Sequence, residues 1–577
     1  MINKILYVLE KKDRIRLVLL IMLMLVGACV ELISVSVILP LVNVVTDKDI
    51  IYTDTTYQFI GNIFHLTNVS DYVLFFAIAI AIMYVFKNVF LVIENDIQFR
   101  FLFNSKRKLS SRLLASYLSK DYLFFTQNSI PELQRNIMQD VGTFYYALQS
   151  MLQLITEIIV GVVLVVYLFT VDIITTSCIF CLLGLFSVLF FVIYRKQCTK
   201  QGNIFRDATA KTNKWLLQSF EGIKEIKIMH KEDFFWENYD NASKVVAHSD
   251  RVSHVLSYIP KPVMETFVIA GLMLVIGMRV FWGGSIDGFV SVLSAFVVAA
   301  YRMIPAFNRI AANYSWIMYG KPSIDSVYDI VKKFEIENAD KMVEGGEIRF
   351  DEINVDNLTF KYPEGKENVI ENVAFIIPLN KSVAFVGKSG AGKTTLADLI
   401  LGIINPTSGD VKVSGKSIYY NKTAWQNQIG YIPQVIYLMD DTIRNNIAFG
   451  IDGSQIDDDA IWNALKEAQL DEYVKGLPKQ LDTMVGDRGI RLSGGQRQRI
   501  GIARALYRNP LFLVFDEATS ALDGETEQAV MESIKALHGK RTILIIAHRL
   551  STIKDCDIIF KVEDKKVTQV AYTDLDS

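Results

Sequence analysis

At positions 387–395 the chain reads Gly387-Lys388-Ser389-Gly390-Ala391-Gly392-Lys393-Thr394-Thr395, a complete G-x-x-x-x-G-K-T loop. An apolar run at 382–386 precedes the loop, and a helical pattern begins at its end. Glycines let the backbone curl so that successive N–H groups face inward, and the start of the following helix adds partial positive charge. The stretch therefore predicts a phosphate-binding loop in an α/β domain, in which Lys393 reaches the outer phosphates and Thr394 holds Mg²⁺.

Composition divides the chain of 577 residues into an apolar first part and a polar second part. Apolar residues make up 51% of the sequence and its mean hydropathy is +0.27, and both values are high for a soluble protein. The distribution predicts a transmembrane domain at 1–320, a polar linker at 321–352 and a soluble domain at 353–577. The net charge of −2 gives no reason to expect a nucleic-acid partner.

The first part holds six stretches that are apolar over the roughly 20 residues that a membrane helix requires. They are 17–45, 72–97, 145–170, 173–194, 262–282 and 289–319. Lys and Arg concentrate in the N-terminal arm and around 100–120 and 195–231, whereas the intervening loops carry almost none. The sequence therefore predicts an all-α transmembrane domain of six helices, whose basic loops and both termini face the cytoplasm.

Two polar stretches, 98–143 and 195–260, keep helical periodicity and contain few Gly or Pro residues. They are predicted to continue the membrane helices into the cytoplasm. Segment 47–71 scatters apolar residues among polar ones, and this pattern suits either an external interfacial helix or a solvated loop.

Four cations in or beside the spans point to a cargo site, because a charge at the bilayer centre is costly unless it meets water, protein or a charged ligand. Arg302 and Arg309 lie seven residues apart, about two helical turns, and so on one face. Lys87 and Lys261 could join them, and such a basic lining suits an anionic cargo. The sequence equally allows cations that reach the interface, or internal ion pairs with Glu31, Glu94, Glu157 or Glu265.

Apolar strand patterns in the soluble domain end in polar side chains, namely Asp516 with Glu517, His548, and Gln434. Because the carboxyl ends of parallel strands meet at one edge of a sheet, these side chains are expected to converge on the phosphate loop. Asp516 and Gln434 are suited to holding Mg²⁺. Glu517 is suited to deprotonating the attacking water, and His548 to contacting the γ-phosphate.

A second anion site is predicted where Leu492-Ser493-Gly494-Gly495-Gln496 precedes a helical run. Ser493 would cap that helix, whose bare N–H groups attract negative charge. One chain thus carries two phosphate-binding surfaces.

Together these motifs resemble the full set of ABC transporter ATPase domains, in the usual order. The set comprises 387–395, Gln434, the signature 492–496, Asp516 with Glu517, the loop from Ser520 to Asp523, and His548. The resemblance implies that Tyr362 stacks on adenine, and that ATP with Mg²⁺ lies between the phosphate loop of one chain and the signature and Asp523 of another. Since this chain has one copy of each, a homodimer with two competent ATP sites is expected.

Around 31–40 and 299–310 the chain also resembles bacterial flippases of lipid-linked oligosaccharides, the PglK type. Arg302 and Arg309 stand where that family has arginines, whereas Lys87 and Lys261 stand where arginines are expected. This resemblance implies ATP-driven flipping of a polyprenyl-pyrophosphate-linked oligosaccharide across the bacterial inner membrane for protein glycosylation. An exporter of drugs, peptides or lipid A shares every ATPase motif and is the alternative. The predicted spans argue against a soluble ABC ATPase of DNA repair or translation.

Overall fold

The computed structural model describes the backbone at all positions except 37, 47, 172, 264, 267–268, 271–272, 274–276, 278–288, 340–350, 517–523, 548–549 and 576–577. Contacts divide the chain into two units. The first comprises Met1–Lys120 and Phe124–Asp340 and is helical. The second comprises Asp121–Leu123 and Lys341–Ser577 and contains the β-sheets.

Helices precede the first strand. They are α1 (Ile2–Val8), α2 (Lys11–Ser36), α3 (Ile38–Thr46), α4 (Ile50–Thr53), α5 (Thr55–Phe64), α6 (Val69–Leu118), α7 (Tyr122–Gln127), α8 (Ile130–Arg135), α9 (Val141–Val171), α10 (Ile173–Glu221), α11 (Ile223–Met229), α12 (Glu232–Tyr258) and α13 (Phe289–Ala339). The 50 residues of α6 contain neither Gly nor Pro. At about 1.5 Å per residue this helix extends over roughly 75 Å, well beyond the ~30 Å of a bilayer core.

Among the described side chains, two helical stretches are long and apolar enough to cross a membrane, Val69–Leu118 and Ile130–Val162. They contain the predicted span at 72–97 and overlap the one at 145–170. Helices α2 and α3 cover the predicted span at 17–45. Much of the predicted spans 173–194, 262–282 and 289–319 lies outside the described side chains.

A buried polar cluster joins α9, α10 and α13. A π-helical turn, Asn136–Asp140, precedes α9. Asp140 accepts hydrogen bonds from Nε of Arg206 (3.0 Å) on α10 and from Oγ of Ser323 (2.8 Å) on α13. Since a buried carboxylate is stable only with such partners, the cluster fixes these helices relative to one another.

Segment 47–71 forms the short helices α4 and α5. Tyr57 and Gly61 of α5 are buried, whereas Tyr52, Phe59 and Ile63 are more than half exposed. One buried face and one exposed apolar face give this segment the amphipathic character of an interfacial helix.

The polar segment predicted as a linker at 321–352 is helical in its first part. Helix α13 continues to Ala339, with Pro322 in its interior, and β1 begins at Glu352. The helix persists because Ile324, Val327 and Val331, spaced by one turn, are buried in the core of the helical unit.

The second unit contains two sheets. Their strands are β1 (Glu352–Phe360), β2 (Ile370–Pro378), β3 (Ser382–Val386), β4 (Ser408–Val413), β5 (Lys416–Ser417), β6 (Ile429–Ile432), β7 (Phe512–Asp516), β8 (Thr542–Ile546), β9 (Ile558–Glu563) and β10 (Lys566–Val570). One sheet is antiparallel, in the order β2-β1-β4-β5. The other has the order β10-β9-β3-β8-β7-β6 and is parallel except at β10. The carboxyl ends of β3, β6, β7 and β8 therefore share one edge.

The helices of this unit are α14 (Lys393–Ile400), α15 (Lys422–Gln426), α16 (Ile443–Ile447), α17 (Asp458–Glu467), α18 (Asp471–Lys475), α19 (Gly494–Tyr507) and α20 (Gly524–Leu537). Strands β3, β7 and β8 are buried along their whole length, as central parallel strands between helices require. This burial explains why each appears in the sequence as an unbroken apolar run.

Trp425 is expected to be a major contributor to the stability of the second unit. It is fully buried, stacks on Phe512 at 5.8 Å and donates its indole N–H to the Ile400 carbonyl at 2.8 Å. Trp425→Phe should lower the free energy of unfolding by about 1–3 kcal/mol through the lost donor. Trp425→Ala should lower it by about 3–5 kcal/mol. Calorimetric unfolding of the purified full chain measures both.

The exposed Trp236 on α12 provides the control. Trp236→Ala should change the free energy of unfolding by less than about 0.5 kcal/mol. Equal losses of unfolding free energy in the two Trp→Ala variants would show that the burial of Trp425 does not determine its contribution to stability.

Candidate nucleotide-binding site

The loop between β3 and α14 curls through glycines in the left-handed region. Gly387, Gly390 and Gly392 have φ angles of 149°, 80° and 102°. At Gly387 a side chain is also excluded by space, because a Cβ there would overlap the carbonyl oxygen of Val562. The backbone conformation of the loop therefore requires glycine at these positions.

Lys393 begins α14, and its side chain turns back over the loop. The ammonium group donates hydrogen bonds to the carbonyl oxygens of Gly387 (2.8 Å) and Lys388 (3.0 Å). The residue is only 4% exposed, and a charge so far from water requires such acceptors. The predicted phosphate-binding cation is thus held against the loop.

The first turn of α14 carries the two threonines of the motif. Thr394 is exposed, whereas Thr395 is buried. The hydroxyl groups of Thr395 and Tyr362 are hydrogen-bonded at 3.1 Å. Tyr362, the residue predicted to stack on adenine, therefore lies beside the phosphate loop, with its ring edge-on to Phe360 at 4.9 Å.

Asp516 ends β7 and is buried at the carboxyl edge of the sheet. Tyr431 on the neighbouring strand β6 donates its phenol O–H to Oδ2 of Asp516 at 3.4 Å. Burial raises the pKa of Tyr431, so the phenol stays protonated and remains a donor. Gln434 follows β6 and is exposed. Three further predicted site residues, Glu517, Asp523 and His548, lie outside the described residues.

Sequence reasoning missed Asp398, which lies on α14. Burial, and after it the nearby carboxylate of Asp516, raise the pKa of Asp398 to about 6. The sequence feature that could have indicated Asp398 is an acidic residue inside the otherwise apolar run 396–401. The other residues of this run are buried. Tyr431 was visible in the sequence as a strand residue, but its contact with Asp516 depends on strand pairing.

The signature helix α19 has the N-cap that the sequence predicts. Oγ of Ser493 accepts a hydrogen bond from the backbone N–H of Gln496 at 3.2 Å, and Oε1 of Gln496 accepts from the backbone N–H of Ser493 at 2.9 Å. This capping box fixes the first turn of the helix. Backbone N–H groups at Gly494 and Gly495 belong to that turn, where an anion is favoured.

These residues fit a nucleoside triphosphate with Mg²⁺. Lys393 and the start of α14 offer donors to phosphates, and the hydroxyl of Thr394 and the carboxylate of Asp516 are the hard oxygen ligands that Mg²⁺ prefers. At Gly390, no heavy atom of the described residues other than Gly390 and its two chain neighbours lies within 4 Å of the position that a Cβ would take. A phosphate can therefore approach the backbone of the loop there.

The predicted cargo-binding cations have different surroundings. Lys87 is buried, with its ammonium 4.9 Å from the centre of the Tyr84 ring. Arg309 forms a two-point ion pair with Glu157, in which Nη2 lies 3.0 Å from Oε2. This pair is one of the internal pairings that the sequence left open. Lys261 is exposed, and the side chain of Arg302 lies outside the described residues.

Fold and site together define a membrane protein that carries a phosphate-loop ATPase domain. The transmembrane region of ABC transporters matches residues 17–303, and the ABC transporter domain matches residues 370–520. The chain belongs to the ABC transporter family, with a helical transmembrane region followed by the ATPase domain.

Similar proteins include two named ATP-dependent lipid A-core flippase. The one from Desulfotalea psychrophila is 33% identical over 66% of this chain and 66% of its own length. The one from Photobacterium profundum is 42% identical over 38% of this chain and 37% of its own length. The uncharacterized ABC transporter ATP-binding protein YwjA of Bacillus subtilis is 39% identical over 47% of this chain and 46% of its own length. The chain thus spans between about a third and two thirds of these relatives.

A solved structure of a bacterial Atm1-family ABC exporter with ATP bound has the same fold. The TM-score is 0.78, and the match covers 97% of this chain and 96% of that chain at 23% identity. The likeness establishes the exporter fold over nearly the whole chain.

Asp398→Asn is expected to stabilise the protein at neutral pH and much less in acid. The folded state binds this proton more tightly than the unfolded chain, whose Asp pKa is about 3.9. Ionisation of Asp398 therefore lowers the stability of the protein progressively as the pH rises from about 4 to about 6. The full destabilisation is present above about pH 6, and none is present below about pH 4. The gain at pH 7.5 should be roughly 1–3 kcal/mol and should fall by more than half at pH 4.5. Thermal unfolding of the full chain without nucleotide or Mg²⁺ measures it.

Asp471 offers a control of opposite sign, since its hydrogen bond from Lys475 lowers the pKa of that carboxyl. Asp471→Asn should destabilise at neutral pH, and the effect should disappear in acid. The same pH trend in both variants would contradict the assignment of Asp398.

Proposed function

We propose that two copies of this chain form an exporter that uses ATP to flip a phosphate-bearing glycolipid across the bacterial inner membrane. The first cargo proposed is a polyprenyl-pyrophosphate-linked oligosaccharide for protein glycosylation. The main observation in favour of a polar cargo is a row of buried polar side chains on α6.

Lys87, Glu94 and Gln98 are 8%, 6% and 2% exposed. Glu94 and Gln98 follow Lys87 by seven and eleven residues, and these spacings bring all three side chains to one side of α6. Lys87 and Glu94 belong to the predicted span 72–97, where each charge is unfavourable by a few kcal/mol in lipid. Ionisable groups that persist inside a membrane unit generally serve a polar path or cargo.

Arg309 can exchange its partner for a phosphate. It is 53% exposed in its pair with Glu157, so a ligand can approach the guanidinium group. A guanidinium binds phosphate oxygens through two parallel hydrogen bonds, as it binds a carboxylate. The ion pair is therefore compatible with a head-group contact during transport.

Lipid A is the second candidate cargo, and the flippases of Photobacterium profundum and Desulfotalea psychrophila favour it by their names. Both candidates combine phosphate groups with long apolar chains. The positive charges of Lys87 and Arg309 support a phosphate-bearing lipid as the class of cargo, and the experiment below separates the two candidates.

The separation of the two anion sites within one chain supports the proposed homodimer. The phosphate loop leaves β3, whereas the signature helix α19 packs against β6. In the order β3, β8, β7, β6 these strands are three positions apart, about 14 Å at ~4.8 Å per strand. This separation supports a site in which a second chain supplies the signature to phosphates held by the loop.

In each ATP site, Lys393 would exchange the loop carbonyls for phosphate oxygens, and Thr394 with Asp516 would hold the metal. Mg²⁺, when bound, neutralises charge on the phosphates. Tyr431 keeps the Asp516 carboxylate in place through its hydrogen bond. Glu517 takes the proton of the attacking water.

His548 and Gln434 complete the site in this proposal. His548 contacts the γ-phosphate, and Gln434, at the end of β6, orients the water and adds an amide oxygen near the metal. Asp523, which directly precedes α20 in the sequence, is assigned with the signature to the nucleotide of the partner chain.

Glu517→Gln should lower ATP hydrolysis by at least about 100-fold and leave ATP binding intact, because the amide keeps the size of the side chain but cannot accept the proton. Hydrolysis and nucleotide binding are measured on the purified full chain. Glu532→Gln, at an exposed glutamate of α20, is the control and should retain both. Near-normal turnover of the Glu517 variant would remove that residue from its role.

Cargo is tested in liposomes that contain the purified full chain and either a short-glycan polyprenyl pyrophosphate or lipid A. The favoured lipid should change leaflet only with ATP. Lys87→Met removes the charge while keeping the apolar bulk, and should lower the amount of lipid moved per ATP hydrolysed about tenfold or more. The matched control is Lys106→Met on the same helix. Lys106 lies beyond the predicted span 72–97, and its ammonium is 6.0 Å from the centre of the Tyr146 ring.

Movement of lipid A alone would assign the second cargo, and movement of neither lipid would overturn both. An equal loss in the Lys106 variant would show that the lysine contacts on α6 are structural.

A further inference from the structure

A cavity of about 570 Å³ opens between α2 and α6. This volume falls within the range of about 300–1,000 Å³ that is typical of ligand sites. Polar and apolar side chains line the cavity, among them Arg16, Arg100, Asn104, Leu19, Leu23 and Ile97.

Both arginines lie where apolar sequence meets polar sequence. Arg16 directly precedes the predicted span 17–45, and Arg100 follows the span 72–97 by three residues. Helices α2 and α6 pack together, and as successive spans they cross the membrane in opposite directions. The two arginines therefore reach the same depth, on the side predicted to be cytoplasmic, where the phosphates of the inner leaflet lie.

Both arginines of the cavity have carboxylate partners. Asp13 is buried and pairs with both Arg16 (3.2 Å) and Lys108 (3.4 Å). Asp96 pairs with Arg100 at 2.8 Å. Arg16 and Arg100 are the charged residues that line the cavity, and a lining with two cations suits the phosphate of a lipid head group.

Both arginine pairs are open to exchange. The pair of Arg100 with Asp96 is exposed on both sides, at 76% and 54%, and contributes only about 0–1 kcal/mol. Arg16 is 60% exposed, and its buried partner Asp13 keeps the ion pair with Lys108 when the guanidinium of Arg16 turns to another anion. A phosphate accepts two parallel hydrogen bonds from a guanidinium and forms a stronger contact. Asn104, one turn beyond Arg100, adds an amide donor to the same cavity.

Apolar side chains form the rest of the cavity. Leu19 and Ile97 are 60% and 43% exposed, although both belong to the apolar spans. Leu23 continues this surface one turn farther along α2. A charged end at the boundary and an apolar surface toward the bilayer suit a ligand with a phosphate and an acyl chain.

We propose that this cavity binds a phospholipid of the inner leaflet that carries one negative charge, such as phosphatidylglycerol. Its phosphate lies between Arg16 and Arg100, and one acyl chain lies along Leu19, Leu23 and Ile97. The site goes beyond the proposed function, because the bound lipid is a resident of the bilayer and not the cargo.

The test is native mass spectrometry of the purified full chain in detergent, without nucleotide. Dioleoylphosphatidylglycerol and dioleoylphosphatidylcholine are titrated separately, since they share their acyl chains and differ in head-group charge. Phosphatidylglycerol should bind more tightly. Each Arg→Gln change at Arg16 and Arg100 should weaken its binding about fivefold, and the double variant should not distinguish the two lipids.

Arg107 provides the matched control, because it is an exposed arginine of α6 that does not line the cavity. Arg107→Gln should bind phosphatidylglycerol like the parent chain. Arg16→Lys with Arg100→Lys keeps the charges and should retain most of the preference. If the double Gln variant does not fold, Arg100→Gln alone carries the test, since its surface pair contributes little to stability.

Equal binding of the two lipids by the parent chain would overturn the proposal, as would unchanged preference in the Arg16→Gln/Arg100→Gln variant. Inorganic phosphate at equal concentration should not displace the lipid, because it lacks the acyl chain, and displacement would mean that the cavity takes a phosphate alone. None of these measurements involves ATP or transport, so a failed flipping experiment would leave their outcome intact.

Discussion

The buried ammonium of Lys393 is the charge around which the ATPase unit is arranged. Its removal from water is offset by the carbonyl oxygens of Gly387 and Lys388, which it reaches at 2.8 and 3.0 Å. Those carbonyls are correctly placed because the loop passes through left-handed glycines, which side-chain-bearing residues enter only with strain. The loop in turn depends on β3, whose backbone is paired on both sides, with β8 and β9. Charge, loop and sheet therefore depend on one another.

The need to partner a buried charge also orders the helical unit. Asp140 draws Arg206 of α10 and Ser323 of α13 toward the π-helical turn that leads into α9, so one carboxylate fixes three helices. Arg309 and Glu157 join α13 to α9 in the same way. Arg309 and Glu157 lie in predicted membrane spans, where water is scarce as an alternative partner, and their ion pair allows both charges to persist there.

Local patterns account for what could be predicted, and distant pairings for what could not. The phosphate loop and the Ser493 cap are each encoded within a few residues, so both were visible in the sequence. By contrast, Tyr431 and Asp516 are 85 positions apart, and Arg309 and Glu157 are 152 apart. A single sequence offered Arg309 four acidic partners and no means of choosing among them. The polar composition of 321–352 predicts a linker, whereas the helix continues to Ala339 because Ile324, Val327 and Val331, spaced by one turn, are buried in the helical core.

A transporter must release what it binds, and contacts that are already satisfied without ligand make release feasible. Lys393 has loop carbonyls and Arg309 has Glu157, so under the proposed function neither cation would be left unpaired when a phosphate departs. The free energy gained from a phosphate is then the difference between two sets of hydrogen bonds, which is much smaller than the strength of either set. A cation without an internal partner would hold a phosphate more tightly and would delay its exit. The internal pairs in both units therefore favour turnover over affinity, which is the balance that repeated cycles of binding and release require.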